Sequence, residues 1–514
     1  MFDGLLTATV FLPLVAAVLI TLVFKREQTI RWMAIGATLA TFVLSVVVFA
    51  RYDTAVGGVQ LVDQFERWIP VPGLQSQYLL GVDGLSAPLV LLTGLLGTVA
   101  AMASWRIKLR VKEYFFWLLI LETAVMGVFT SLDLLLFFVF FEFEVIPMYM
   151  LISIWGSGRP KYSAMKFVLF TLAGGALMLV AILMVYASTS SLAMVSIPAA
   201  GVQGLPELIG GAQSLIAPAA LIFAFFLVAF AVKLPLWPLH NWLPDAHTDA
   251  PTAVSVMLAG VLLKMGGYGL LRINVGMFQE SPGFQVQDAA GILAAIAAVS
   301  VLYGAIVTIR QTDMKRLVAF SSVSHMGFVM LGAMAIAAAG EPAAKAAGLN
   351  GAALQMFTHG TITGLAFLMV GLTYDRAHTR HIPHLGGLWR KMPLIAIFFL
   401  IAGFASLGLP GLSGFVAEIT IFLGTFETWP WATGFAAFGV VLAAGYVLWM
   451  IQRTFFGAKP QEGGLPPDQY DHLTDASRFD MVPVVMLAAS VLIVGIWPKA
   501  VTDVFEVGVR ELIR

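Results

Sequence analysis

Apolar stretches of roughly twenty residues recur from end to end of this chain, separated by short polar segments, and each is long enough to cross the ~30 Å hydrocarbon layer of a bilayer. In hydrocarbon the backbone N–H and C=O groups find no water, so a crossing segment satisfies them within itself as a helix. The expected fold is all-α and polytopic. About fourteen spans are placed near residues 4–24, 31–49, 83–104, 113–131, 132–155, 163–187, 215–240, 251–272, 288–309, 317–339, 351–374, 394–425, 432–456 and 481–503, which leaves no room between them for a soluble domain. Composition agrees: 59% of residues are hydrophobic and 11% charged, a balance suited to lipid as the main solvent.

Charge and cysteine content exclude several function classes. The 29 basic and 29 acidic residues cancel, so nothing favours capture of a nucleic acid. Cysteine is absent, which excludes disulfides, thiolate zinc sites, cysteine-ligated iron–sulfur clusters and a catalytic thiol. The first apolar run follows Asp3 and has no basic segment before it, so it is read as a retained span rather than a cleaved signal.

Lysine and arginine collect in loops on the cytoplasmic side of a membrane. Alternate loops here hold twenty of the 29, including Arg106, Lys166, Arg316, Arg380 and Lys459, against seven on the other side, including Arg67, Arg272 and Arg514. That asymmetry places both termini outside. Lys233 and Lys264 belong to neither set, because they fall within spans.

Two spans are too long and too broken for plain helices. The seventh contains Lys233, Pro235 and Pro238, and the twelfth contains Gly408, Pro410, Gly411 and Gly414, so each is expected to be interrupted within the membrane. They are the fourth members of two successive five-helix groups, and an odd repeat length turns the second copy upside down, as in transporters built on inverted repeats. The implied division is 1–112 (spans 1 to 3), 113–275 (first repeat), 288–458 (second repeat) and 479–514 (span 14). Proline kinks without repeat meaning are the alternative.

Ionisable side chains within a span are expensive and usually face a wet or paired interior. Glu142 sits halfway through span 5, Lys233 before the break in span 7, Lys264 in the middle of span 8, His325 and His359 in spans 10 and 11, and Glu418 after the break in span 12. Carboxylates, amines and imidazoles are the groups that exchange protons when burial and neighbours tune them. A static ion pair that fixes helix packing is the competing reading. Glu144, two residues from Glu142, is expected on roughly the opposite helix face, and Glu122 in span 4 either joins a relay or pairs locally. His240, Asp245, His247 and Asp249 cluster at the cytoplasmic end of span 7, where capping and solvation are expected. His378, His381, His384 and His472 fall in loops and are read as solvated rather than as metal ligands. His325 and His359 are the one intramembrane histidine pair, and nothing else in the sequence supports haem.

Five stretches carry a resemblance: FFEFEVIPMYMLISIWG (Phe140 to Gly156), VKLPLWPLHNWLPDAHTDAPT (Val232 to Thr252), FSSVSHMGF (Phe320 to Phe328), MFTHGTITG (Met356 to Gly364) and SLGLPGLSGFVAEI (Ser406 to Ile419). The chain resembles, over nearly its whole length, the antiporter-like membrane-arm subunits of proton-pumping respiratory complex I, the NADH:quinone oxidoreductase. The resemblance implies fourteen helices with an inverted five-helix repeat in a bacterial cytoplasmic membrane. It also implies that NADH, FMN, the iron–sulfur clusters and quinone are handled by other subunits, with no cofactor or metal in this chain. Partners would be the sibling antiporter-like subunits and other membrane-arm subunits, with protons as the transported species.

Matched by motif, Glu142 is the carboxylate five residues before the proline of the IPMY segment, Lys233 its partner lysine and Lys264 the central lysine. His325 and His359 match relay histidines, and Glu418 takes the exit position, where two sibling subunits carry lysine. Glu144 departs from the family pattern, which has an apolar residue or Thr there. The implied function is coupling of quinone reduction elsewhere to proton translocation through these six residues. A subunit of a sodium/proton antiporter and a purely structural membrane scaffold are the competing readings.

Overall fold

The computed structural model describes residues 3–513, apart from 66, 67, 70, 72, 74 and 459–463. Arg67, Lys459 and Arg514, three of the loop cations, lie outside the described residues. Twelve helices among the described residues are long and apolar enough to cross a membrane. Two further crossings are built from half-helices, one from Ala219–Lys233 and one from Pro393–Ser406 with Ser413–Thr425, so the fourteen expected spans are present.

Burial sorts these helices by their chemistry. Thr252–Val275, Met314–Ala337 and Pro342–Ala377 are wholly buried along their apolar stretch and are among the least hydropathic of the twelve. Leu5–Leu22, Glu27–Arg51, Pro430–Phe456 and Arg478–Ile496 are 33–39% buried and markedly more apolar. A helix surrounded by other helices needs no apolar coat, so the interior is where polar side chains accumulate. Lys264, His325 and His359 stand on the three wholly buried spans.

The breaks fall where proline and glycine require them. The seventh span stops at Lys233, and its freed carbonyls are taken up locally: Trp242 Nε1 donates to Val232 O (2.8 Å), and Leu236 N donates to Ala231 O (3.0 Å). A second half-helix, Trp242–Asp249, follows. In the twelfth span, Gly408 (φ 74°) and Gly411 (φ 90°) adopt the left-handed conformation open to glycine.

Two irregularities were not expected from the sequence. Span 5 is split at Glu144 into Leu134–Phe143 and Val145–Trp155; Pro147 removes a donor and its ring crowds the carbonyl four residues back, at Phe143. In span 8, π-helical turns at Leu258–Leu262 and Leu270–Val275 flank Lys264, a distortion common at functional sites.

On the side of the two termini, an antiparallel hairpin pairs Gln60–Phe65 with Tyr78–Val82. Asp63 of that hairpin caps the first helix, accepting from Gly4 N (2.6 Å), Thr7 N (2.9 Å) and Thr7 Oγ1 (2.8 Å). The chain closes with an amphipathic helix, Lys499–Leu512, that buries Val501, Val504, Phe505, Gly508 and Val509. Gly508 lies directly on the backbone of Gly84 and Leu85, where any Cβ would collide. Gly508→Leu is therefore expected to lift this helix from its seat and destabilise the fold by about 1–3 kcal/mol, read as a lowered thermal unfolding midpoint of the purified protein. An unchanged midpoint would show the seat to be adaptable.

Candidate functional site

The interior helices bring four of the six predicted residues into one line. Lys264 Nζ donates to Ala259 O, a carbonyl within the first π-helical turn, and lies 2.8 Å from His359 Nδ1. With the ammonium as donor, Nδ1 accepts and the ring proton is assigned to Nε2. His359 and His325 stand with ring centroids 5.6 Å apart. His325 Nδ1 is 3.5 Å from Glu418 Oε1, and its Nε2 is 3.2 Å from Ser406 Oγ. His325, His359, Ser406 and Glu418, together with Ile362 and Ala405, line a small cavity at this junction. Glu418 reaches it because Gly408, at the break of its own span, leaves space beside the carboxylate. All four ionisable side chains are buried.

The remaining two predicted residues occupy a second centre. Lys233 is the last residue of its half-helix, and Gly266 of span 8, two residues beyond Lys264, packs against the end of that half-helix, at Phe230 O, Leu234 N and the Cβ of Lys233. Its ammonium lies over the rings of Phe141 (4.9 Å) and Phe167 (5.5 Å). The expected pairing with Glu142 is corrected: Lys233 forms its ion pair with Glu144, and the two side chains are 1% and 0% exposed. Glu142 is half-buried, its carboxyl against Gly175 of the helix Pro160–Thr189. The reason lies in the phase of the helix. Phe137, Phe141, Glu144 and Met148 form the buried stripe, while Val139, Phe143 and Ile146 are exposed. Glu142 sits between these faces.

Other polar residues sort as follows. Asp245 pairs with Lys166 (2.7 Å) and Arg316 (3.5 Å), and Asp249 accepts from Ser163 Oγ (2.6 Å) and Arg159 N (3.2 Å), in keeping with capping. His240 and His247, expected to be solvated, are buried: His240 packs against Tyr303, and His247 stacks on Phe367 at 4.6 Å. Glu122 is buried with its carboxyl beside Gly97, and neither oxygen has a hydrogen-bond partner among the described residues. His381 and His384 touch each other edge to face, and no group of three or more potential metal ligands occurs among the described residues.

Sequence reasoning missed one buried pair. Arg272, counted as a loop cation, lies inside the second π-helical turn of span 8 and pairs with Asp83, their side chains 7% and 2% exposed. The signal was available in an Asp at the start of one span and an Arg at the outer end of another.

A helical membrane bundle with two broken helices and a buried line of lysine, histidine and glutamate has the architecture of the antiporter-like membrane proteins. A sequence profile described as NADH:quinone oxidoreductase/Mrp antiporter, TM matches residues 131–443. The chain belongs to this family. It is 40% identical to NADH-quinone oxidoreductase subunit M of Rhodobacter capsulatus, over 100% of this chain and 97% of that one. It is also 40% identical to an NAD(P)H-quinone oxidoreductase chain 4 of Thermosynechococcus vestitus, over 99% and 92%. A chain of respiratory complex I from Thermus thermophilus superimposes with a TM-score of 0.82 at 29% identity, covering 99% of both chains. A chain of the Mrp complex from Dietzia shares the fold, with a TM-score of 0.80 at 20% identity over 99% and 97%.

Proposed function

We propose that this chain is a proton-translocating membrane-arm subunit of an NADH:quinone oxidoreductase, in which the redox chemistry takes place in other subunits. Full-length relatives bearing that name support the complex, and the line Lys264–His359–His325–Glu418 carries the reading. Each neighbour in it is a group that binds and releases a proton, and each stands near enough to exchange one directly or through a single intervening molecule of water.

In this mechanism a disturbance arriving from the quinone-reducing part of the complex alters the charge around Lys233. Lys264, on the helix that packs against Lys233, passes its proton to His359, and His325 delivers it to Glu418 for release on the outer side. The two five-helix groups, 113–275 and 288–458, then form inward- and outward-connected halves, with both termini outside. NADH, FMN, iron–sulfur clusters and quinone belong to partner subunits of a bacterial cytoplasmic-membrane complex.

Lys264→Ala in the assembled complex is expected to lower pumping, measured as dye quenching in inverted vesicles, by about a hundredfold or more. Glu418→Gln suppresses turnover similarly, while Glu418→Lys, which keeps a titrating group in place, is partly tolerated. Full pumping by an assembled Lys264→Ala complex sinks the proposal. The shared fold with the Mrp complex makes a sodium/proton antiporter the second reading, and sodium-dependent transport without NADH would favour it.

A further inference from the structure

Span 5 carries two acids within three residues, and the structure places both beside one lysine. Glu144 bonds Lys233 directly. Glu142 lies close enough for the charge of Lys233 to act on it. Its carboxyl occupies the space that Gly175 leaves on the neighbouring helix, and the adjoining Gly174 packs against Ala229 and Val232 of the half-helix that ends in Lys233. Both acids have a buried oxygen with no hydrogen-bond partner among the described residues, Oε1 of Glu142 and Oε2 of Glu144. No other basic side chain is bonded to either acid among the described residues.

One ammonium neutralises one carboxylate. A second carboxylate in the same apolar surroundings would leave a net negative charge at membrane depth, which hydrocarbon and aromatic walls do not solvate. Two carboxyl groups that share a site of this kind divide one proton between them.

We propose that Glu142, Glu144 and Lys233 form a single three-membered unit in which one ammonium serves two acids, and the acid it leaves carries an exchangeable proton. The inference rests on the proposed function and deepens it. The structure shows Lys233 bonded to Glu144; in the proposed unit this arrangement has Glu144 as the carboxylate and Glu142 as the neutral acid. When the ammonium swings to Glu142, the O–H bond of Glu142 breaks and its proton leaves. Glu144, now without its cation, forms an O–H bond with an incoming proton. Lys233 stays protonated throughout, one proton departs, one arrives, and the net charge is unchanged. The break of the helix at Glu144, set by Pro147, lets the segments carrying the two acids tilt separately.

The test uses the assembled complex carrying Glu142→Gln and, separately, Glu144→Gln, with the carboxylic-acid C=O band read by infrared spectroscopy beside proton pumping. The expected result is the same in both: one protonated carboxyl is lost relative to the parent complex, because the remaining acid pairs with Lys233, and pumping falls about tenfold or more. A band retained in Glu144→Gln, or pumping at the parental level in that variant, overturns the unit. Should Glu144→Gln fail to assemble, Glu142→Gln decides alone, and a retained band overturns it. Lys264→Ala, run in parallel, separates the two layers: normal pumping there defeats the proposed function, whereas its loss beside a normal Glu144→Gln defeats only the shared-lysine unit.

Discussion

Lys233→Ala is expected to reduce proton pumping and quinone-coupled NADH oxidation to background while the complex still assembles. The substitution removes the one cation bonded to Glu144, whose side chain is 0% exposed. Stripping one partner from a buried ion pair costs about 3–5 kcal/mol if the other stays charged. The carboxyl has a less costly course, which is to bind a proton and become neutral. The fold therefore survives, but the site is fixed in one charge state and has no cation left to move. Lys233→Arg is expected to fare little better. A guanidinium keeps the charge, but it is planar and wider than the ammonium now held between Phe141 and Phe167. The measurement is dye quenching and NADH oxidation in inverted vesicles, with assembly followed on native gels. Normal pumping by assembled Lys233→Ala would remove this centre from the mechanism.

The second large effect is one of stability. Arg272 pairs with Asp83, and its Nε also donates to Tyr268 Oη at 3.3 Å. Asp83 in turn accepts from Leu85 N (3.1 Å) and Ser86 N (3.0 Å) at the entry to the helix Ala87–Ala103. Arg272→Ala leaves that carboxylate buried beside Tyr52 and Tyr268 with no cation, and the expected loss is again about 3–5 kcal/mol. Thermal unfolding of the purified protein should show a lower midpoint and a lower yield for Arg272→Ala. Replacing the whole pair by apolar residues, Asp83→Leu with Arg272→Met, is expected to restore much of the loss, since no charge is then stranded. A double variant as unstable as the single one would mean that the backbone bonds to Asp83, not the ion pair, hold this end together.

The residues that carry charge into the membrane were legible in the sequence, because a lysine or glutamate in an apolar run stands out whatever its surroundings. Lys233 before a proline break, Lys264 at mid-span and Glu418 after a glycine break were placed correctly on their elements. The partner of Lys233 was not. In a soluble protein, apolar periodicity reveals which face of a helix points inward. Span 5 is apolar on both faces, with Val139, Phe143 and Ile146 outward and Phe137, Phe141 and Met148 inward, so the pattern has no phase from which to read that Glu144 is the inward acid. The resemblance pointed to Glu142, since the family pattern has no second acid at that position. The π-helical turns around Lys264 were equally hidden, because they contain no proline and their backbone follows from packing between neighbours. The order in which these side chains meet was open in the sequence as well: His325 precedes His359 along the chain, yet His359 is the one that meets Lys264.

The sorting of helices by burial has a consequence for how the chain is made. Spans 8, 10 and 11 are wholly enclosed and comparatively polar, and a lysine at mid-span opposes insertion from the translocon by about 2.5–3.5 kcal/mol. Emerging alone from the ribosome, span 8 meets lipid before spans 10 and 11 have been synthesised to cover it. Its entry is favoured if it leaves the translocon as a hairpin with the seventh span, so that the nascent chain settles in pairs and the polar interior closes last.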